Sequence, residues 1–358
     1  ANSTASNNTA VGYASLGANT TGANNTAIGN SASLLNTTGN NNTSLGYFAL
    51  EKNQTGGNNV SIGVETMLAN TTASNNVAVG YRSLFANTTG HSNVAVGSGA
   101  LDANTTGVQN NAVGYLSLTT NTTGNSNQAF GRRALELNTT GGNNNAVGEK
   151  ALQNNTTADN NSAFGHAALQ NNTTGSENVA VGALALDANT TGAQSTAVGY
   201  QALTSATTGG DNDAFGRAAG SDITTASNTL CLGNLAGTSG SPIILTTQSN
   251  TIVVGNNSHS GAYIKIDWTV GSDQRDKTDI QDITTGLSFV NQLKPKSFWF
   301  RKNRDSDVKH GNKKYGFLAQ DILALEGSDP VIINNQNEDS LGYQGAHLIP
   351  ILVNAIKE

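Results

Sequence analysis

The fold of this chain is decided by a short stretch that recurs, and one well-kept copy is Asn-Asn-Val-Ala-Val-Gly-Tyr at residues 75–81. Its glycine returns every 17 residues from Gly12 to Gly233 without an insertion, which gives fourteen units in one register. Each unit reads roughly Asn-Asn-x-Ala-Val-Gly-Tyr-x-Ala-Leu-x-x-Asn-Thr-Thr-Gly plus one variable residue. A fixed short period of this kind indicates a repeat architecture.

A 17-residue unit is too short for a pair of helices and suits one coil of a β-solenoid. The Ala-Val-Gly segment alternates small and branched side chains, which predicts a short strand with one face inward. The Tyr-x-Ala-Leu segment supplies a second apolar pair and predicts a second strand, and Asn-Thr-Thr-Gly is typical of a turn. Proline is absent before Gly233, as coils that bond to their neighbours require.

These patterns predict a mainly β fold, in which the coils stack into a rod of about 65 Å at the usual strand spacing. A coil with two or three apolar residues buries little surface alone. We therefore expect several chains, most simply three, to share one core as a homotrimer.

The composition changes abruptly after Gly233. Charged residues number 17 among the first 233 positions and 25 among the last 125, and all four prolines and both tryptophans lie in the second part. We predict a repeat β-solenoid shaft at 1–233, a β neck at 234–271 and a small α+β domain at 272–358. The β-like runs of the predicted neck are Pro242–Leu245, Thr251–Val254 and Tyr263–Ile266.

Composition also excludes several classes of protein. The formal charge is −6, no apolar run reaches the ~20 residues of a membrane helix, and no signal peptide is evident. Cys231 is the single cysteine and the five histidines are scattered, so we predict no metal and no cofactor. The one basic run is interrupted by aspartates, which disfavours a nucleic-acid partner. Both ends of the chain look cut, because it begins with Ala1 and stops inside a helical run.

Residues 7–233 resemble the head repeats of trimeric bacterial adhesins, in which Asn-x-x-Ala-Ile-Gly units form a trimeric β-roll. The nearest copy is Asn-Asn-Thr-Ala-Ile-Gly at residues 24–29. The period of 17 is longer than the adhesin period. The resemblance implies a homotrimer built from β coils.

The repeated Asn-Thr-Thr also matches the acceptor motif for N-glycosylation. Because the motif follows the coil period wherever the turn falls, we interpret it as turn chemistry and the acceptors as incidental. The ten acceptors are Asn19, Asn36, Asn70, Asn87, Asn104, Asn121, Asn138, Asn155, Asn172 and Asn189.

The stretch Ser-Asp-Gln-Arg-Asp-Lys at residues 272–277 resembles the signature of self-cleaving intramolecular chaperone domains from phage tail fibres and tailspikes, peptidase family S74. The resemblance continues in the family's order at residues 293–298, 315–321 and 348–358. That family cuts the chain just before the serine. The resemblance therefore implies a scissile bond between Gly271 and Ser272, with Ser272 as nucleophile and Lys277 as general base.

The chemistry explains why a serine would need this lysine. A hydroxyl is a weak nucleophile until a base removes its proton, and lysine is a base only when neutral. A lysine with the ordinary pKa near 10.4 must be shifted by ~3 units, at a cost of about 4 kcal/mol, which burial can impose. We therefore expect trimer assembly to switch on cleavage. On local sequence alone, Ser272 could instead be a helix N-cap beside a solvated Lys277.

The other elements predicted for this domain have weaker signals. We expect Arg275 to be a structural ion-pair partner, Asp279 a capping residue, and Trp299 and Phe317 core residues. The predicted helices are Asp282–Leu293, Ala319–Leu325 and a run from Ala346 onward, and the predicted strands are Ser297–Arg301, Lys313–Phe317 and Val331–Asn334.

The patterns and resemblances together predict a structural, host-recognition fibre of a bacteriophage tail, located in the virion. Its carboxy-terminal domain would template the homotrimer and cut itself once, with no activity on other substrates, and the fibre would bind a glycan or protein receptor on the host. The alternative is a bacterial surface trimeric adhesin with the same chaperone. A glycan-degrading enzyme is disfavoured, because Asp102, Glu136 and Asp187 are isolated from one another and form no catalytic pair.

Overall fold

The computed structural model describes residues 4–259, 272–301, 307–335 and 341–358. The chain divides into two compact units. The first, called the solenoid unit, comprises Ala1–Ser239 and Leu245–Val254, and the second, called the carboxy-terminal unit, comprises Gly240–Ile244 and Gly255–Glu358.

The solenoid unit contains one parallel sheet of 15 strands, ordered along the sheet as along the chain. Each strand takes the same place in its coil, and the small residues align, as Ala78 does with Ala95. This confirms the predicted mainly β fold with coils of 17 residues. The strands are β1 Thr9–Val11, β2 Thr26–Ile28, β3 Thr43–Leu45, β4 Val60–Ile62, β5 Val77–Val79, β6 Val94–Val96, β7 Asn111–Val113, β8 Gln128–Phe130, β9 Asn145–Val147, β10 Ser162–Phe164, β11 Val179–Val181, β12 Thr196–Val198, β13 Asp213–Phe215, β14 Thr229–Leu232 and β15 Thr251–Val254.

The predicted second strand of each coil is wrong, because the Tyr-x-Ala-Leu segment forms a series of turns. In the coil around Gly80, Arg82 and Leu84 have φ of 52° and 55°. Leucine seldom adopts this left-handed backbone. Here the N–H of Leu84 donates to the oxygen of Ala100 in the next coil at 2.9 Å, and the Leu84 side chain is fully buried. Bonds between coils and burial therefore hold a conformation that local propensity disfavours.

The core of the solenoid unit is complete within one chain. In most internal coils the middle residue of the strand is an alanine and the turn segment carries a leucine, and both are buried, as at Ala112 and Leu118, each with 0% exposure. Buried asparagines complete the interior, and each bonds to its equivalent in the preceding coil, as Asn104 Nδ2 does to Asn87 Oδ1 at 2.9 Å. The physical reason for expecting a core shared between chains is therefore wrong, because it counted only apolar residues.

The asparagines of the Asn-Thr-Thr motif are interior residues. Asn104 has 0% exposure and Asn19, near one end, has 1%. Buried side-chain amides of this kind are not accessible to solvent in the folded coil. Their burial supports the interpretation that the glycosylation motif is incidental.

The repeated glycine is required where neighbouring coils approach most closely. Gly114 has φ of +141°, and a Cβ there would lie 2.4 Å from the carbonyl oxygen of Gly131 in the next coil. Only glycine fits both the backbone angle and the space.

The solenoid sheet ends with β15, which pairs in parallel with β14. Of the strands predicted for the neck, Pro242–Leu245 is not a strand, and Leu245 is instead a buried core residue. Tyr263–Ile266 lies outside the described residues.

The carboxy-terminal unit is a small α/β region, as predicted. Within the described ranges its strands form two antiparallel pairs, and a small core comprises Ile322, Ile332, Ile333 and Leu348. The elements are α1 Leu287–Val290, β16 Lys296–Arg301, β17 Lys309–Gly316, α2 Ala319–Glu326, β18 Ile333–Asn334, β19 Gly342–Tyr343 and α3 Leu348–Lys357.

Two predictions within this unit are corrected. The helix expected over Asp282–Leu293 shrinks to α1, because two threonines and Gly286 precede it and disfavour helix. Trp299 is 39% exposed, with Lys309 Nζ 4.2 Å from its ring centre, so it is a surface residue in cation–π contact. Phe317 packs against the core as expected.

Candidate functional site

The candidate site is built on a single 3₁₀ turn, Gln274–Asp276. The Asp273 side chain caps this turn by accepting from the Arg275 N–H at 2.9 Å, and the N–H of Lys277 closes it by donating to Gln274 O. Asp273 therefore caps the turn, and the N-cap alternative for Ser272 is wrong. A turn this tight returns the chain on itself, so side chains five residues apart can meet.

Ser272 and Lys277 meet across this turn. Lys277 Nζ donates to Ser272 Oγ at 2.7 Å and to the Ser272 carbonyl oxygen at 3.1 Å. A separation of 2.7 Å is within the range over which a general base takes a proton from a nucleophile. Gly271, the predicted residue before the cut, lies outside the described residues.

A salt bridge fixes the turn beside this pair. Arg275 donates to the Asp273 carboxylate through Nε and through a terminal nitrogen at 2.6 Å. The Arg275 side chain, followed by its backbone N–H, holds the pKa of Asp273 below its usual range. In turn, the Asp273 carboxylate raises the pKa of Arg275. Arg275 is thus an ion-pair partner, as expected, and its guanidinium group is bound to the Asp273 carboxylate.

The Ser272–Lys277 pair is exposed in the single chain. Water stabilises a charged ammonium, whereas burial favours the neutral amine that a general base must be. In one chain the two side chains are in hydrogen-bond contact and both are exposed.

Helix α3 holds the segment that leads away from the site. Asn354 Nδ2 donates to the carbonyl oxygens of Ile283 and Thr285 at 3.2 and 3.1 Å. The Glu358 carboxylate accepts from the N–H of Leu287 at 2.8 Å, at the start of α1. Sequence reasoning missed both contacts, because they join residues about seventy positions apart.

Glu326 is a second residue that sequence reasoning missed. From the end of α2, its carboxylate accepts from the backbone N–H groups of Val331, Ile332 and Ile333 at 2.6 to 3.0 Å. These bonds fix the loop that carries two core isoleucines. Asp279, predicted to be a capping residue, caps neither the 3₁₀ turn nor α1, whose N-caps are Asp273 and Gly286. It has φ of 52° and is exposed.

No group of three His, Cys, Asp or Glu side chains within the described ranges could hold a metal ion. No helix among those residues is long and apolar enough to cross a membrane.

These features define a β-solenoid joined to a small α/β unit with a serine–lysine pair at its amino-terminal edge. Residues 272–327 match the family model Peptidase_S74, described as the chaperone of endosialidase. The match confirms the resemblance noted from the sequence, and its combination with the β-solenoid fits a tail fibre with a chaperone domain. Neither the curated proteins nor the solved structures gave a significant match.

Proposed function

We propose that this chain is a structural, host-recognition fibre of a bacteriophage tail, whose carboxy-terminal unit templates a homotrimer and then cuts itself away before Ser272. The observation that carries the proposal is the 2.7 Å contact between Ser272 Oγ and Lys277 Nζ within the segment matched to Peptidase_S74. The proposed location is the virion, and the proposed partners are two further copies of the chain and a glycan or protein receptor on the host. The domain limits proposed are 1–233, 234–271 and 272–358.

The cleavage is a net hydrolysis of one peptide bond. Neutral Lys277 takes the proton of Ser272 Oγ, which attacks the carbonyl carbon of Gly271 and forms a tetrahedral intermediate. As the intermediate collapses, the bond from that carbon to Ser272 N breaks, Lys277 returns the proton to the departing nitrogen, and an ester remains. Water then hydrolyses the ester, which leaves a carboxylate on Gly271 and a free amine and hydroxyl on Ser272. The base and the nucleophile belong to one chain, so each chain is cut once.

In this proposal, assembly of the trimer supplies the burial that a neutral lysine requires. Ser272 and Lys277 are exposed in one chain, and packing three chains together would remove their side chains from water. Burial then favours the neutral amine, and cleavage follows correct assembly.

The test is the intact mass of the denatured protein over time after expression. We expect fragments split after Gly271 in the wild type, and a single species near 36.6 kDa for Ser272→Ala and Lys277→Gln. Thr278→Ala and Lys294→Gln change exposed residues of the same kind nearby and should cleave as the wild type does. Cleavage in Ser272→Ala would overturn the proposed nucleophile.

A second experiment addresses the dependence on assembly. Cleavage should stop when the protein is held monomeric by dilution, and added wild type should not cut Ser272→Ala chains. Full cleavage in dilute monomer would remove the proposed role of assembly.

An adhesin on a bacterial surface is the second candidate, favoured by the adhesin-like copy at residues 24–29. Antibodies against the solenoid unit would label the virion under the first proposal and the bacterial envelope under the second.

A further inference from the structure

The outer face of the solenoid sheet carries an unbroken column of apolar side chains. In each strand, the residue after the inward-facing one points outward, and it is apolar in all fifteen strands. Phe164 is 43% exposed and Phe130 42%. We call these residues the outer apolar column: Val11, Ile28, Leu45, Ile62, Val79, Val96, Val113, Phe130, Val147, Phe164, Val181, Val198, Phe215, Leu232 and Val254.

Charge is almost absent from this face and is carried by other parts of the coils. Asp213 is the single charged residue within strands β1–β15. The ion pairs of the solenoid unit lie in the segments that follow the strands, as between Arg132 and Glu149 or Arg82 and Asp102. Depletion of charge is the compositional mark of the centre of an interface.

A parallel sheet is normally covered on both faces. The inner face of this sheet is covered by the coil's own leucines and asparagines, whereas the outer apolar column remains exposed or half-buried. Arg132 and Glu149 occupy the position after the repeated glycine, two residues beyond the column, and in five other coils this position holds exposed tyrosines. These tyrosines are Tyr13, Tyr47, Tyr81, Tyr115 and Tyr200.

The size of the face suits a stable interface between folded chains. At about 4.8 Å between strands and about 3.3 Å per residue, thirteen strands of three residues and two of four cover roughly 700 Å². A standard interface buries roughly 800 Å² on each partner.

The period of the face specifies its occupant. A partner that covers every position must repeat at the same spacing along the whole sheet, with an apolar contact at each step. A second copy of this chain, parallel to the first and related to it by rotation about an axis along the sheet, matches the spacing at every coil by symmetry. An unrelated partner would lose register within a few coils.

We propose that the outer apolar column is the surface through which parallel copies of this chain pack around their common axis. The inference rests on the homotrimer of the proposed function. It adds which face of each coil points toward the axis that the three chains share. Interiors of single coils remain separate, and the chains meet sheet to sheet.

Cross-linking of the full chain tests the proposal. Val147→Cys places a thiol in the outer apolar column, and Leu137→Cys places one in the segment after a strand, with 37% and 42% exposure for the native residues. Burial raises the pKa of Cys231 to about 11, so the wild type is the unreactive control. A short bismaleimide should join chains of Val147→Cys and leave those of Leu137→Cys single.

Substitution gives an independent measurement. Phe164→Asp should raise the concentration at which trimers dissociate at least tenfold, as measured by sedimentation, and Leu137→Asp should leave it unchanged. If the wild type is trimeric but Val147→Cys forms no cross-link, or Leu137→Cys cross-links equally well, the assigned face alone is overturned. A monomeric wild type would overturn the homotrimer and this inference with it.

Discussion

Replacing Asn104 with alanine should destabilise the solenoid unit through the loss of three buried hydrogen bonds. Asn104 Nδ2 donates to Asn87 Oδ1 at 2.9 Å and to Gly107 O at 3.0 Å, and its Oδ1 accepts from Asn121 Nδ2 at 2.9 Å. Asn104 and both asparagine partners are fully buried. Alanine therefore leaves Asn87 Oδ1 and one N–H of Asn121 without a partner inside the coil, whereas Gly107 O keeps its bond from Asn93 Nδ2 at 2.9 Å.

Each unpaired buried group costs about 1–3 kcal/mol, so the two together predict a loss of roughly 2–6 kcal/mol in the free energy of unfolding. We expect a value near the lower end, about 2 kcal/mol, because a water molecule entering the space would satisfy part of the network. Asn104→Asp should be worse, since a carboxylate would face the oxygens of Asn87 and Gly107 with no proton to donate. Thr106→Ala alters an exposed residue of the same turn and should change stability by less than about 0.5 kcal/mol.

Urea unfolding followed by circular dichroism measures these differences. All variants must be compared at one protein concentration, because association would shift the apparent stability by mass action. A loss below about 1 kcal/mol for Asn104→Ala, the value of an ordinary exchange of hydrogen bonds with water, would refute the ladder argument. So would an equal loss in Thr106→Ala.

Single contacts lead to three other predictions. Gly114→Ala should cost about 3 kcal/mol or more in thermal unfolding, because its Cβ would meet the backbone of the next coil at 2.4 Å in a left-handed conformation. Glu326→Gln should lower the stability of the carboxy-terminal unit by about 2 kcal/mol, because it weakens charged hydrogen bonds to the backbone at 331–333. Asp273 has a lowered pKa, so its pairing with Arg275 should hold at neutral pH and be lost as the pH falls through that lowered value. In Arg275→Ala, the pKa of the Asp273 carboxyl, followed by NMR, should rise toward its ordinary range.

Each of these predictions has a matched control. Gly57→Ala places a Cβ at a position that holds asparagine or serine in neighbouring coils, and a loss equal to that of Gly114→Ala would contradict the steric argument. Asp329→Asn removes the same charge from an exposed residue, so an equal effect there would contradict the role of Glu326. An Asp273 titration that Arg275→Ala leaves unchanged would contradict the assigned ion pair.

The period of the sequence was enough to predict the coil, its length and its first strand. It did not predict the turn segment, because left-handed residues such as Leu84 are held by bonds to the next coil, and local propensity carries no information about them. Counting apolar residues also misjudged the core. Asn104 and its equivalents are interior residues only because the same side chain recurs one coil away to satisfy them.

For the candidate site, spacing and resemblance together singled out Ser272 and Lys277, and the structure brings their side chains within 2.7 Å. Their catalytic roles remain a proposal. The contacts of Asn354 and Glu358 with the segment before α1 could not be predicted, because no local pattern links positions about seventy residues apart. For Trp299 the prediction from residue type is wrong. A large aromatic side chain favours a core position, but Trp299 lies at the surface with Lys309 and Lys313 near its ring.

The unvarying length of the coil has a genetic consequence. Deleting or duplicating one whole unit, such as Gly97 to Val113, joins two segments that already fit each other, so every ladder is preserved. Recombination between repeats can therefore shorten or lengthen this rod in steps of about 4.8 Å without a new fold. Losing a number of residues that is not a multiple of 17 would move alanines and asparagines out of the interior and break the stack at that point.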